Sequence, residues 1–112
     1  MDSCLFCRIV SGDVPAKIVR DDERTLAFRD INPQAPVHVL VIPKDHHANL
    51  FEASADPALL AAMAVTAHQV AIDEGLDGSG YRVVFNTGAD AGQTVFHVHA
   101  HLLGGRGLGW PP

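Results

Sequence analysis

Three histidines, His97, His99 and His101, alternate with apolar residues in the segment Val95-Phe96-His97-Val98-His99-Ala100-His101-Leu102-Leu103. Imidazole has a reference pKa of about 6.5, so near neutrality it can be a nucleophile, an acid or a hydrogen-bond donor to phosphoryl oxygens. Nucleophilic attack needs the neutral ring. A histidine whose one nitrogen donates to a backbone carbonyl keeps the lone pair of the other nitrogen available, while neighbouring imidazoles donate to phosphate oxygens or a leaving group. The plain alternative is a row of polar residues on the solvated face of an amphipathic strand. Strict alternation of three out of seven histidines, directly after a glycine-bearing loop, favours chemistry.

Alternation is a strand's period, so the segment Val95 to Leu103 is expected to be a strand. Phe96, Val98, Ala100 and Leu102 would then face a core and the histidines the opposite side. Successive histidines would lie about 6.5–7 Å apart at Cα, within reach of one ligand. The elements that must position them follow from the rest of the chain. Ala16 to Arg20 and Thr25 to Phe28 flank the polar turn Asp21-Asp22-Glu23-Arg24 as a hairpin. Val37 to Ile42 is a β-branched run between Pro36 and Pro43, a central buried strand with His38 as its anomaly. Taken alone, His38 reads as a core histidine satisfied by a backbone carbonyl.

From Asp56-Pro57 a capping residue and a first-turn proline open one long helix, which carries Leu59, Leu60, Met63, Ala64, Ala67, Val70 and Ala71 and closes at Gly75. A strand follows over Tyr81 to Phe85. Leu5 to Val10 is short and apolar, and helix and strand are both open for it. Tight turns between strands imply a mostly antiparallel sheet, and one long helix covers one face of it, which makes the class α+β.

The 112 residues suit a single domain over 1–112. Hydrophobic residues at 47% and charged residues at 19% describe a chain that folds. The net charge of -5 argues against a protein that grips nucleic acid through many phosphates. No apolar run is long enough for a signal-peptide core or a membrane span, so no membrane role and a cytoplasmic address are expected. Cys4 and Cys7 form a C-x-x-C pair, which in a reducing compartment reads as a metal half-site or redox pair. Gly88 to Gly92 is not a phosphate-cradling P-loop, because it lacks the Gly-Lys-Ser/Thr ending and precedes a strand.

The stretch His97-Val98-His99-Ala100-His101-Leu102-Leu103 resembles the histidine-triad (HIT) signature. Ala27 to Pro36, Val37 to Lys44, Gly92 to Val95, Gly104-Gly105-Arg106 and Trp110-Pro111-Pro112 are similar to the Hint branch, the histidine-triad nucleotide-binding proteins. The resemblance implies a five-stranded, mostly antiparallel sheet with one long and one short helix, and a homodimer that joins two sheets into a continuous ten-stranded one.

It also implies a purine nucleoside 5'-phosphoramidate hydrolase working through a covalent nucleotidyl-histidine. His99 would be the nucleophile, His101 the phosphate and leaving-group partner, and His38 the residue that orients the nucleophile. Asp30 would hold the ribose hydroxyls, for which the plain alternative is a solvated turn carboxylate. Asn86, Gln93 and Thr94 would contact the phosphate or leaving group, and Phe6, Ile9, Phe28, Ile31 and Leu40 the base; packing alone is the alternative for these five. Cys4, Cys7, His46 and His97 match a structural zinc set, and no organic cofactor is implied. His47 and His68 receive no role. The exposed tail at Trp110 would approach the partner's active site. The rivals are a non-catalytic nucleotide-binding or scaffolding protein, a dinucleoside polyphosphate hydrolase, and a zinc-storage module.

Overall fold

The computed structural model describes residues 3–111. Its elements are α1 (Leu5–Ser11), β1 (Ile18–Asp21), β2 (Thr25–Arg29), β3 (Val37–Pro43), α2 (Leu50–Ala53), α3 (Pro57–Asp73), β4 (Tyr81–Phe85) and β5 (Ala100–Gly104). One five-stranded sheet runs β1-β2-β3-β5-β4, with every neighbouring pair antiparallel. The α+β class and the five-stranded antiparallel sheet expected from the sequence are what forms.

Local signals account for the helices. The Asp56 carboxylate accepts the Leu59 N–H and Pro57 begins α3, which satisfies an orphan amide where a proline loses nothing. The N-terminal piece that the sequence left open is a helix of seven residues, capped by the Cys4 sulfur on the Cys7 amide and stopped by Gly12 at φ 87°. Seven residues are too few to form a helix in isolation, so α1 depends on what it packs against.

The sheet separates two environments. On one face, Met63, Ala67, Val70 and Ala71 of α3 pack on Ala27, Val39, Val41, Ala100 and Leu102 as a dry core. On the other, Phe6 and Ile9 of α1 pack on Leu26, Phe28, Leu40 and Ile42. Because side chains alternate along β3, Val39 and Val41 belong to the first face while His38, Leu40 and Ile42 belong to the second. Among the described residues no helix is long and apolar enough to cross a membrane.

The histidine segment departs from expectation. Pairing in β5 begins only at Ala100, opposite Val41 and Phe85, so residues 95–99 lie outside the ladder. Phe96, expected in the core, is 61% exposed, and His97, Val98, His99 and Ala100 are buried in succession. The physical reason is that this segment spends its polar groups elsewhere: Val98 N–H donates to the His47 carbonyl at 2.7 Å, and the His97 ring bonds to Pro43. Period-two burial holds only from Ala100 onward.

Candidate active site

β3 and β5 lie side by side with Leu40 opposite His101, which places His38 and His101 on the same face of the sheet, the one covered by α1. Their protonation pattern follows from fixed backbone groups. The Gln34 amide N–H donates to His38 Nδ1 at 3.0 Å, so in the neutral ring the proton of His38 sits on Nε2. That Nε2–H faces His101 Nδ1 at 2.9 Å and Asp30 Oδ2 at 3.4 Å. His101 Nδ1 is then an acceptor, and His101 carries its own proton on Nε2. The row therefore ends in a donor.

His99 is ordered the other way round. Its Nδ1–H donates to the His97 carbonyl at 2.7 Å, which leaves Nε2 with a lone pair. Phe6 meets the His99 ring edge-on with centroids 5.1 Å apart, holding it against α1. Burial lowers the His99 pKa below its ordinary value. Burial, followed by the neighbouring His99 and His38 rings, lowers that of His101 to about 4. Both rings are neutral at pH 7, as a nucleophile and an uncharged donor require.

His99 and His101 line a cavity of about 380 Å³, a volume within the range of small-molecule sites. Phe6, Ile9, Phe28 and Leu40 form its apolar floor, with Asp30, Ile31 and Thr94 also in the lining. Ile31 is fully exposed and sits at the rim. Asp30 Oδ1 accepts the Asn32 N–H at 2.8 Å, which shapes the turn that holds the carboxylate.

Three residues expected at the site stand outside this lining: His38, which meets the cavity only through its bond to His101, and Asn86 and Gln93. Asn86 follows the end of β4 and is half-buried. Gln93 is buried; its oxygen accepts the Gly88 N–H at 3.0 Å, and its amide group donates to the carbonyls of Ala48 and Val95 at 2.8 and 3.1 Å. Its polar atoms are thus spent on the backbone of the loop. Sequence reasoning missed Val14, Pro15 and Ala16, which close the cavity beside α1 and have no chemical signal to mark them. The Gln34 amide was invisible for a related reason: any residue but proline supplies an N–H.

A second cluster adjoins the first. His97 Nε2–H donates to the Pro43 carbonyl at 2.8 Å, so its Nδ1 is bare. That atom lies 3.3 Å from Cys4 Sγ, 3.5 Å from Cys7 Sγ and 3.2 Å from His46 Nδ1, and Cys7 Sγ is 3.3 Å from His46 Nδ1. Zinc with Zn–N of about 2.0–2.1 Å and Zn–S of about 2.3 Å needs ligand atoms about 3.3–3.8 Å apart in a tetrahedron. The donor set fits a zinc ion. Asp30, His38 and His101 also bring potential ligand atoms within 4.8 Å of one another, but the proton that Gln34 fixes on His38 Nε2 removes that nitrogen as a ligand.

The HIT domain family profile matches residues 11–108, and the chain belongs to this family. It is 54% identical over 99% of its length to a HIT-like protein of Synechococcus elongatus, covering 97% of that protein. A 14 kDa zinc-binding protein of Brassica juncea is 46% identical, over 96% of this chain and 97% of the relative. Among solved structures, a HIT family hydrolase from Legionella pneumophila superposes with a TM-score of 0.95 at 50% identity, covering 98% of this chain and 99% of that one. A histidine triad nucleotide-binding protein from Candida albicans gives 0.85 at 35% identity, over 98% and 84% of the two chains. A zinc-bound histidine triad family protein from Mycobacterium smegmatis gives 0.82 at 42%, over 93% and 76%.

Proposed function

We propose that this protein is a purine nucleoside 5'-phosphoramidate hydrolase of the Hint branch, acting on AMP-amine or AMP-lysine types of substrate. The observation that carries the reading is the opposed ordering of His99 and His101, a bare nitrogen and an N–H donor lining one cavity. The base lies over Phe6, Ile9, Phe28 and Leu40 with Ile31 at the rim, the ribose hydroxyls reach Asp30, and Thr94 meets the phosphate. The lone pair of His99 Nε2 forms a bond to phosphorus as the P–N bond breaks, and the amine, whose nitrogen takes a proton from solvent water, departs. His101 Nε2–H donates to the phosphate and leaving group, and His38 holds His101 in the tautomer that allows it. Water then attacks phosphorus and gives one proton to the surrounding solvent while the P–N bond to His99 breaks, releasing the nucleotide and restoring neutral His99.

Names of similar structures support hydrolysis and nucleotide binding as the class. Single-turnover mixing with an AMP phosphoramidate tests the step directly: a trapped adenylyl-protein lost in His99→Ala is expected, and unimpaired turnover by that variant overturns the mechanism. Nucleotide binding without any turnover of the wild type would favour the scaffolding reading.

Cys4, Cys7, His46 and His97 would hold a structural zinc ion that fastens α1 to the segment before β5, in a compartment reducing enough to keep both thiols. A homodimer fits the outer edge of β4, which lies at the end of the sheet and exposes Tyr81 and Val83, with Val65 and Ile72 of α3 exposed nearby in sequence pattern. Trp110, 82% exposed with the Arg82 guanidinium 5.8 Å from its ring centre, would extend that surface. Sedimentation at micromolar concentration distinguishes dimer from monomer.

A further inference from the structure

The donor at the end of the histidine row is set by the Gln34 amide at His38 Nδ1, with the Asp30 carboxylate 3.4 Å from His38 Nε2 favouring the same tautomer. Gln34 N–H fixes the His38 tautomer, which fixes that of His101. Were that amide turned away, His38 could carry its proton on Nδ1 and present a bare Nε2. His101 would then donate from Nδ1 and turn a lone pair toward the phosphate oxygens, exchanging attraction for repulsion. What aims the amide is therefore a question about the loop between β2 and β3.

This loop is held at both ends by strands and in its middle by few contacts. Asp30 Oδ1 accepts the Asn32 N–H at 2.8 Å, and the Gln34 side-chain amide donates to the Asn32 carbonyl at 3.0 Å. Both bonds are internal to the loop. Beyond the Gln34 N–H bond to His38 itself, the loop is tied from outside by Arg106, whose Nη2 donates to the Gln34 carbonyl at 2.8 Å while Nη1 donates to the Gly107 carbonyl at 2.8 Å. Arg106 reaches the loop because the chain leaving β5 turns tightly against it. Gly105 has φ 92°, and a Cβ there would stand 2.9 Å from Pro36 Cβ. No other side chain among the described residues donates to that carbonyl.

The geometry points to Arg106 as a positioning residue for the reaction proposed above: through Gln34 and His38 it keeps the Nε2–H of His101 directed at the substrate. It touches no reacting atom itself. The inference rests on the phosphoramidase reading for its kinetic consequence, but the tautomer assignment stands apart from it. A guanidinium suits the task because its planar fork bonds two carbonyls at once, Gln34 and Gly107. Lysine can make one of those bonds, alanine neither.

The test combines kinetics with ring nitrogen NMR on the full chain, comparing wild type, Arg106→Ala and Arg106→Lys. Arg106 is exposed, so the alanine variant should fold, and its melting curve checks that. With an AMP phosphoramidate, kcat of Arg106→Ala should fall about ten-fold, at the lower end of what partners that orient a working histidine contribute, with KM changed less than about two-fold. Arg106→Lys should recover part of the loss. The ¹⁵N shifts of His38 and His101 should show one protonated and one bare nitrogen per ring in wild type and a mixture of tautomers in Arg106→Ala. Unchanged kcat, a fall in kcat with unchanged tautomers, or a lysine variant no better than alanine overturns the proposal. If the wild type does not turn over, the phosphoramidase reading fails and the NMR comparison still decides the role of Arg106.

Discussion

His97 and His99 are two residues apart, both buried, and chemically identical, yet their rings are hydrogen-bonded in opposite senses. His97 gives its Nε2–H to Pro43 and turns Nδ1 into a cluster where two sulfurs and a second imidazole converge. His99, which lines the cavity, gives its Nδ1–H to the carbonyl of His97 and so keeps a lone pair on Nε2. In the first cluster, four potential ligand atoms lie within 4.8 Å of one another, which suits a cation. In the second, donors and acceptors alternate from Gln34 through His38 to His101, which suits a neutral relay. The role of a histidine is thus decided by which carbonyl or amide claims its other nitrogen.

Removing His99 is the most severe way to break this contrast. His99→Ala should cut turnover at least about 10⁴-fold while nucleotide affinity and metal content persist, because His101, the other imidazole in the lining, offers an N–H in place of a lone pair. Rapid-quench kinetics with metal analysis checks it, and a His99→Ala protein that has lost its metal would show the clusters to be one unit. Removal of the metal should act on stability instead. Chelation, or Cys4→Ser with Cys7→Ser, should lower the thermal midpoint by about 10–20 °C, since a ligand at 100 times its dissociation constant contributes about 2.7 kcal/mol. Calorimetry with and without added zinc measures this, and equal midpoints would leave the cluster without a metal role.

A gentler probe is pH. The folded-state pKa of His101, about 4, lies below its ordinary 6.5, so between those values the unfolded chain binds more protons than the folded one. The stability contributed by the neutral buried ring is complete above about pH 6.5 and is lost as pH falls toward 4. A His101→Phe variant should flatten that part of the midpoint–pH curve; an unaltered slope would show that His101 does not cause it. The smallest effect belongs to Ile31, fully exposed at the rim. Ile31→Ala should leave stability within about 0.5 kcal/mol and raise KM about two- to five-fold, the loss of a partly covered apolar contact. Titration with substrate and a melt together separate base contact from packing.

Much of the fold was legible because its signals are local. Asp56-Pro57 and Gly75 bracket α3, whose observed span is Pro57–Asp73, and the prolines at 36 and 43 bound β3. The histidine segment was misread in a specific place. Alternation from 95 to 99 looked like a strand, but its ladder partners were replaced by the carbonyls of His47 and Pro43, which no local window contains. Gln93 illustrates the same limit: a polar residue beside a loop reads as a ligand contact until the backbone that consumes its amide is known.

The sequence by itself determined which side chains exist to do chemistry, the alternation that sets His99 and His101 on one side of the chain, and the β-branched run that carries His38 into the sheet. Tertiary structure decided which nitrogen of each ring keeps a lone pair. An imidazole has two nitrogens and one proton, and only groups distant in sequence, Pro43 for His97 and the loop at Gln34 for His38, determine which nitrogen keeps it.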